Sequence, residues 1–308
     1  AKKSELKLTL QFGADLTAQA RQGRFGPVVG REHEVARVIS ILCRRQKSNP
    51  VLLGDAGVGK TAVAECLAQK IADGDVPAPL LNKRLISLEL SGLISGTKYR
   101  GEFEERIRNV LEEVRQSGDV ILFIDEIHML TGAGAAEGAI DAANILKPAL
   151  ARSGLQMIGA TTPAEYKKTI RRDSALARRF QPVDIGEPTS EQALRILRSL
   201  SGRYESHHGT RIADDALEAA VRLSVRCMPE RRLPDKAIDL LDEAAASARL
   251  AGQPILTPRH IADAVFTMTG ISADAAADDE RQTLLALESK LAERVVGQDR
   301  AVRAVARS

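Results

Sequence analysis

The sequence predicts an α/β fold: a parallel sheet with helices on both faces, followed by a smaller, mostly helical C-terminal part. Short β-rich runs alternate with helical patterns from Val51 to Ile185, which is the rhythm of a parallel sheet. After Pro188 the strand patterns nearly vanish. Only 3% of the residues are aromatic, so the core must be built from aliphatic side chains, which suits helices packed on a sheet. A length of 308 residues fits roughly two domains.

The predicted strands are five apolar runs. The clearest predicted helix spans residues 102–116, because its apolar side chains recur at helical spacing from Phe103 to Val114. In chain order the strand runs are Val51 to Leu53, Leu85 to Leu90, Val120 to Ile124, Leu155 to Gly159 and Val183 to Ile185.

The C-terminal part is predicted to be helical from its first residues. Thr189 and Gln192 have the spacing of a capping box, which would open a helix that continues through Leu200. Further helices are expected over about 214–226, 234–250 and 258–268, the last of them capped by Thr257.

Composition excludes several classes of protein. The net charge of +3 gives no reason to expect a nucleic-acid partner. No apolar run reaches the roughly 18 to 20 residues that span a bilayer, and the N-terminus is polar, so neither a membrane segment nor a signal peptide is expected. Three widely spaced cysteines without a CxxC pair predict reduced thiols in a cytosol-like compartment and no structural zinc.

A phosphate-binding loop is predicted directly after the first strand. Residues 54–61 read Gly-Asp-Ala-Gly-Val-Gly-Lys-Thr and satisfy the pattern GxxxxGK[ST], between a strand and a helical run. Glycines let backbone N–H groups close around phosphates, and the helix N-terminus adds positive potential. Lys60 would neutralise the β and γ oxygens, and Thr61 would ligate Mg²⁺. The alternative is an ordinary glycine-rich turn.

Two carboxylates end the apolar run Val120 to Ile124, in the manner of a Walker B motif. Parallel sheets present the carboxyl ends of their strands to ligands. Asp125 would hold Mg²⁺, and Glu126 would orient and deprotonate the attacking water. An acidic helix cap is the alternative interpretation.

Two further features indicate an assembly rather than a monomeric enzyme. Arg178 and Arg179 could present guanidinium groups to the γ-phosphate of a neighbouring subunit, although a solvated basic pair at a helix end is the commoner reason for such a pattern. Tyr99 stands between Lys98 and Arg100 on a glycine-flanked loop, where it could grip a polypeptide or simply pack at a rim.

Taken together, these motifs resemble the first ATPase module of the Clp chaperone ATPases of the AAA+ class, which include ClpA, ClpB, ClpC and ClpD. The resemblance is nearest to ClpC or ClpD and extends over almost the whole chain. The residues that carry the resemblance lie in seven segments beside the phosphate loop. These segments are Gly96 to Glu104, Phe123 to His128, Gly132 to Gly134, Asp141 to Asn144, Gly159 to Thr162, Ala177 to Phe180 and Leu233 to Asp239.

The resemblance implies an AAA+ P-loop NTPase with a five-stranded parallel sheet and a helical small domain, assembled as a hexamer. ATP and Mg²⁺ would be its cofactors, and it would thread unfolded or tagged proteins through a central pore. Thr162 would sense the γ-phosphate, Arg178 and Arg179 would act on a neighbouring subunit, and residues 131–139 would form a second pore loop after the Tyr99 loop. The ATP would contact Val28, Val29, Asp55, Ala56, Gly57, Val58, Gly59, Lys60, Thr61, Ala62, Ile196, Pro234 and Asp235.

The expected organisation is a linker (1–25), an AAA+ large domain (26–186), a small domain (187–271), and a linker with the start of a second module (272–308). The second module is inferred because Val295 to Val302 echoes Val28 to Val35, so the chain is expected to be part of a longer tandem protein. The coiled-coil middle insertion of some Clp members is absent near Arg249 to Pro254, either naturally or by deletion.

The resemblance further implies adaptor proteins and a ClpP-type peptidase as partners of the full-length protein, no nucleic acid or membrane, and a bacterial cytoplasm or chloroplast stroma. Two other functions are open: a nucleotide-gated scaffold with slow hydrolysis, and a DNA-acting AAA+ protein. Glu126 and the paired arginines argue against the first. The small net charge and the Tyr99 loop argue against the second.

Overall fold

The computed structural model describes residues 6–94, 100–130, 143–151 and 155–272. The chain divides into two compact units, which meet in sequence at Leu200 and Ser201.

One six-stranded sheet forms the centre of the first unit. The order of its strands is β1-β3-β4-β5-β2-β6, and every pair is parallel except the antiparallel pair β1 and β3. The five predicted strands are confirmed, with ends that move by no more than three residues. The strands are β1 (Gly13–Asp15), β2 (Asn49–Leu53), β3 (Arg84–Leu88), β4 (Val120–Ile124), β5 (Gln156–Thr161) and β6 (Phe180–Asp184).

Helices cover both faces of this sheet. The helices of the first unit are α1 (Lys7–Gln11), α2 (Leu16–Arg21), α3 (Glu32–Leu42), α4 (Lys60–Asp73), α5 (Leu90–Ile94), α6 (Arg100–Ser117), α7 (Ala143–Ala151), α8 (Pro163–Lys168), α9 (Ser174–Ala177) and the first half of α10 (Ser190–His208). Short 3-10 turns occur at Ala78–Leu80 and Ile127–Leu130.

Alternate side chains of the strands supply two separate cores. In β4, Ile121 and Phe123 pack with the buried faces of α3 and α4. Leu122 and Ile124 of the same strand point the other way and pack with α6, whose Phe103 is buried there. A strand buried on both faces has no polar alternation, which is why these runs are continuously apolar.

The antiparallel edge strand β1 corrects the assignment of residues 1–25 to a linker. Gly13 lies so close to β3 that a Cβ atom there would stand 2.3 Å from the carbonyl oxygen of Ser87. The following residues form α2, and the Thr17 hydroxyl accepts a 2.8 Å hydrogen bond from the Leu85 amide. The preceding helix α1 is anchored by Glu113 of α6, whose carboxylate accepts hydrogen bonds from the amides of Leu8 and Thr9.

These bonds also affect the acidity of Glu113. Burial acts to raise the pKa of its carboxyl group, but the hydrogen bonds from Thr9 and Leu8 outweigh burial and hold the pKa below its usual value. The carboxylate therefore remains charged at neutral pH and keeps the N-terminal segment fastened to α6.

The second unit is helical, as predicted. It contains the end of α10, α11 (Asp214–Cys227), α12 (Asp235–Leu250) and α13 (Pro258–Thr269), with a parallel two-stranded sheet of β7 (Arg211–Ile212) and β8 (Ile255–Leu256). The division between the units falls within α10, beyond the boundary expected at residue 187. Within the residues described, no helix combines the length and apolarity needed to cross a membrane.

Both predicted caps of this helical region are confirmed. The Thr189 hydroxyl accepts from the Gln192 amide at 3.2 Å, and the Gln192 side chain accepts from the Thr189 amide at 2.9 Å, which is a capping box at the start of α10. At the start of α13, Thr257 forms the equivalent pair with His260.

Candidate nucleotide site

The predicted phosphate loop connects the carboxyl end of β2 to the N-terminus of α4. Gly57 and Gly59 have φ angles of 81° and 92°, which place them in the left-handed region that only glycine adopts freely. Gly54 has no room for a side chain, since a Cβ atom would stand 2.6 Å from the carbonyl oxygen of Ile185. The loop is therefore shaped by the two glycines of the motif, Gly54 and Gly59, and by Gly57 between them.

Lys60 is the first residue of α4, and its Nζ reaches back over the loop. It donates to the carbonyl oxygens of Gly54 at 3.0 Å and Asp55 at 2.8 Å. Burial lowers the pKa of Lys60, while the nearby carboxylates of Asp125, Asp55 and Glu126 act in the opposite direction. A half-buried ammonium group beside a loop of amide donors is suited to an anionic phosphate chain.

Thr61 and Asp125 come together at the carboxyl edge of the sheet. The Thr61 hydroxyl lies 3.3 Å from Asp125 Oδ2, although 64 positions separate the two residues in sequence. A hydroxyl beside a carboxylate, both exposed, is an oxygen donor set that suits Mg²⁺. The pair would hold the ion of a Mg²⁺–ATP complex, with Lys60 on the phosphates.

Glu126 follows Asp125 in an unusual backbone conformation. Its φ angle is 49°, in the left-handed region, and its amide donates to Asp125 Oδ1 at 2.9 Å. Such a conformation costs on the order of 1–3 kcal/mol in a residue other than glycine. Glu126 is exposed next to the pair formed by Thr61 and Asp125, the place that a general base for the attacking water would occupy.

Thr162 lies at the end of β5, the strand that separates the phosphate loop from the Walker B strand. The carbonyl oxygen of the preceding residue, Thr161, accepts a 3.2 Å hydrogen bond from the Gly54 amide, so β5 is joined directly to the start of the loop. The Thr162 hydroxyl accepts from the Glu165 amide at 3.2 Å as the cap of α8, and its own proton can still be donated. This position fits a phosphate sensor.

Gly159 in β5 makes room for Ile127, the residue that follows Glu126. The side chain of Ile127 fills the space above Gly159, and a Cβ atom there would lie 2.8 Å from Ile127 Cδ1. We expect Gly159→Ala to displace Ile127 and the neighbouring carboxylate, lowering the ATPase kcat at least tenfold and the free energy of unfolding by about 1–3 kcal/mol. Steady-state kinetics and denaturant melts measure both quantities.

Gly202→Ala is the matched control, because nothing lies within 4 Å of a Cβ atom at that helical position. Its kcat should be unchanged and its stability equal or slightly higher. A Gly159→Ala variant with wild-type kcat would show that the position of Glu126 does not depend on Ile127.

Arg178 and Arg179 lie at the amino ends of the strands, whereas the phosphate loop lies at their carboxyl ends. Both are exposed, and the Asn49 side chain donates to the Arg179 carbonyl at 3.4 Å at the amino ends of β2 and β6. Five residues of strand, about 16 Å, separate this level from the carboxyl ends of the strands. The two arginines cannot reach the phosphate loop of their own chain. An ion pair at 2.5 Å between Lys147 and Asp173 fixes the helix α9 that precedes them.

The residues expected around adenine are divided between the two units. Val28 and Val29 are half-buried in the segment before α3. The half-buried Ile196 of α10 is brought towards them, since the hydroxyl of Ser199, one turn further on, lies 3.5 Å from the Pro27 carbonyl. Pro234 and Asp235 stand in the second unit at the start of α12, and their contact with adenine stays a prediction.

The substrate-binding loops fall largely outside the described residues. Lys98 and Tyr99 are not described, and Arg100 is the first residue of α6. The second predicted pore loop, residues 131–139, and the echo at residues 295–302 also lie outside the described ranges. Their roles stay predictions.

Sequence reasoning missed two side chains that contact this site. Arg31 is buried and donates to the carbonyl of Val58 inside the phosphate loop. His128 Nδ1 lies 2.9 Å from the Thr161 hydroxyl and connects the turn after Glu126 to the end of β5. No spacing pattern in the sequence predicts the partner of either residue. The signal that could have drawn attention to Arg31 is its place in the segment that residues 295–302 echo.

Two family models match the chain. The model of the ATPase family associated with various cellular activities (AAA) matches residues 50–182, and the AAA lid domain matches residues 189–294, beyond the end expected at residue 271. Together they cover most of the sheet, the phosphate loop with Asp125 and Glu126, and the helical unit.

Individual relatives are chaperones and protease subunits. The chain is 45% identical to the chaperone protein ClpC2 of Arabidopsis thaliana chloroplasts, over 99% of this chain and 39% of the relative. It is 58% identical to the ATP-dependent Clp protease ATP-binding subunit ClpC of Staphylococcus epidermidis, over 81% of this chain and 31% of the relative. The chain thus spans about two fifths or less of the length of these two relatives.

Solved structures agree with the fold. The complex of S. cerevisiae Hsp104 with ADP has a TM-score of 0.87 and 45% identity, covering 97% of this chain and 52% of that chain. The complex of S. cerevisiae Hsp104 with casein in its extended conformation has a TM-score of 0.79 and 44% identity, with the same coverage. On the motif geometry, the family models and these similarities, the chain belongs to the Clp family of AAA+ ATPases, as an AAA ATPase domain followed by an AAA lid domain.

Proposed function

We propose that this chain is an ATP-hydrolysing module of a protein unfoldase that works as a ring of six subunits. The observation that carries the proposal is the separation of the two halves of the site. Lys60, Asp125 and Glu126 meet at the carboxyl edge of the sheet, whereas the paired arginines lie about 16 Å away at the amino edge. A complete active site then needs the arginines of a neighbouring copy.

Each residue of the carboxyl edge has a defined role in this proposal. Lys60 and the loop amides hold the phosphates, and Thr61 and Asp125 hold Mg²⁺, which stabilises the charge that develops on the phosphate oxygens. Glu126 takes the proton of the attacking water, and Thr162 reports the γ-phosphate to β5. Val28, Val29, Ile196, Pro234 and Asp235 enclose the base.

The mechanical part of the function belongs to the Tyr99 loop. We place Tyr99, between Lys98 and Arg100, at the pore, where its ring packs against an unfolded polypeptide without regard to sequence. Residues 131–139 form a second contact. The similarity to a structure in which Hsp104 is complexed with casein supports a polypeptide substrate.

The relatives support the proposed partners and compartment. The similarity to a Clp protease ATP-binding subunit supports a ClpP-type peptidase and adaptor proteins as partners of the full-length protein. The alignment with ClpC2 runs over 372 residues although this chain has 308, so that relative carries residues without a counterpart here, as expected for a missing middle insertion. The compartment is a bacterial cytoplasm or a chloroplast stroma, in keeping with those relatives.

The test is the ATPase rate per subunit as a function of protein concentration, with molar mass from light scattering measured in parallel. We expect rate and mass to rise together, because each site is completed by a neighbour. ATP binding with a flat, near-zero rate and a monomeric mass at every concentration would overturn the proposal, leaving a nucleotide-binding part only.

Tyr99→Ala tests substrate threading separately from ATP hydrolysis. The variant should show the same rise of ATPase rate with concentration and lose the ATP-dependent threading of a fluorescently labelled unfolded protein. Undiminished threading would remove Tyr99 from the pore-loop role and leave the ATPase assignment intact.

A further inference from the structure

We propose that Arg31 is a positioning residue for phosphate binding, which braces the phosphate loop from its outer side. The inference rests on the ATP binding of the proposed function and concerns a residue outside the GxxxxGK[ST] motif. The segment between Val29 and α3 would therefore help to orient the phosphate loop towards its ligand.

The guanidinium group of Arg31 is buried and contacts three partners. The residue is 7% exposed. One nitrogen, Nη2, donates to the carbonyl of Val58 at 2.6 Å and to the carbonyl of Gly186 at 2.9 Å. The other, Nη1, pairs with Glu34 of the first turn of α3 at 2.8 Å. A buried arginine is costly unless such partners compensate it, so this arrangement is held in one geometry.

The bond to Val58 has a direct consequence for the loop. Val58 stands between Gly57 and Gly59, both with positive φ, so the peptide between Val58 and Gly59 has unusual freedom to rotate. The carbonyl of residue 58 and the amide N–H of residue 59 belong to one planar trans peptide and point in opposite directions. When Arg31 holds the carbonyl outward, the Gly59 N–H is directed inward, where a phosphate oxygen would accept it.

The bond to Gly186 links the loop to a third segment. Gly186 follows β6, and Arg31 itself stands three residues after Val28 and two after Val29. One side chain therefore connects the phosphate loop, the base-contacting segment and the exit of β6. In the echoed segment, Gln298 stands at the corresponding position and also carries N–H donors.

The test compares ligands with and without phosphates. We expect Arg31→Ala to weaken ATP binding about 10- to 100-fold, the loss of a hydrogen bond from a charged donor, and to change adenosine binding less than threefold. KM for ATP should rise in parallel with Kd, while kcat at saturating ATP stays within about threefold because Glu126 is not displaced. Titration calorimetry and steady-state kinetics give these values.

Two variants keep the test decisive. Arg37→Ala, which removes an exposed arginine from α3, the helix that Arg31 precedes, should leave every constant unchanged. Arg31→Lys retains the buried cation but has a single nitrogen for three partners, so it should restore folding if Arg31→Ala lacks it and still weaken ATP binding at least fivefold.

Equal ATP affinity in wild type and in a folded Arg31→Lys variant would overturn the inference. So would an equal loss of affinity for ATP and adenosine, which would indicate a general structural role. A wild-type chain that binds no ATP would instead overturn the proposed function, so the two failures are distinguishable.

Discussion

Glu126→Gln should bind ATP as tightly as the wild type and hydrolyse it about 10²- to 10⁴-fold more slowly, the usual contribution of a general base. The amide has the shape of the carboxylate but cannot accept the proton of the attacking water. Its backbone can keep the φ angle of 49°, which the buried Ile127 next in sequence helps to hold. Single-turnover hydrolysis and an equilibrium titration measure the two effects separately.

The control for this substitution is Glu191→Gln, which neutralises an exposed carboxylate in the first turn of α10. Its kcat should remain within twofold of the wild type. If Glu126→Gln retained more than a third of the wild-type rate, the base would have to be another group, and the exposed turn after β4 would have a different purpose.

Replacing both Arg178 and Arg179 by alanine should lower the ATPase rate of the assembled protein about 10³- to 10⁵-fold, the range known for an arginine supplied to a neighbouring active site. ATP affinity should change little in the dilute protein, because the two side chains lie at the edge of the sheet away from their own phosphate loop. The measurement is the rate at the concentration where the wild type reaches its plateau, with the mass checked by light scattering.

A mixing experiment shows whether the arginines act across an interface. Subunits with the double arginine substitution have an intact Glu126, and Glu126→Gln subunits have intact arginines. Each variant alone is nearly inactive, whereas random mixing in a head-to-tail ring should reconstitute about a quarter of the sites. A fully assembled mixture without activity, or a loss of ATP affinity in the double variant, would contradict action in trans.

Local chemistry made a large part of this site predictable. The phosphate loop needs glycines and a lysine at fixed spacing because the backbone itself binds phosphate, so residues 54–61 could be identified from their letters alone. The same holds for Asp125 and Glu126, since an apolar run that ends in carboxylates marks the carboxyl end of a buried strand.

The edge strand β1 and single contacts between distant side chains were much harder to predict. The strand β1 consists of Gly13, Ala14 and Asp15, residue types that are uncommon in strands. It forms because the exposed side of β3 provides hydrogen-bond partners for its backbone. The Lys147 and Asp173 pair and the Arg31 contacts join positions far apart in the chain, with no periodic signal connecting them.

By itself, the sequence determined the five longer strands of the sheet, the helices of the C-terminal part, the phosphate loop, the two carboxylates and the helix caps, because each depends on residues within one turn or one strand. Only the tertiary structure decided that Thr61 meets Asp125, that Arg31 holds the carbonyl of Val58, and that Arg178 and Arg179 lie at the amino ends of the strands, away from their own phosphate loop. Those relations depend on strand order and burial, which arise when distant segments pack against each other and which no local pattern of residues encodes.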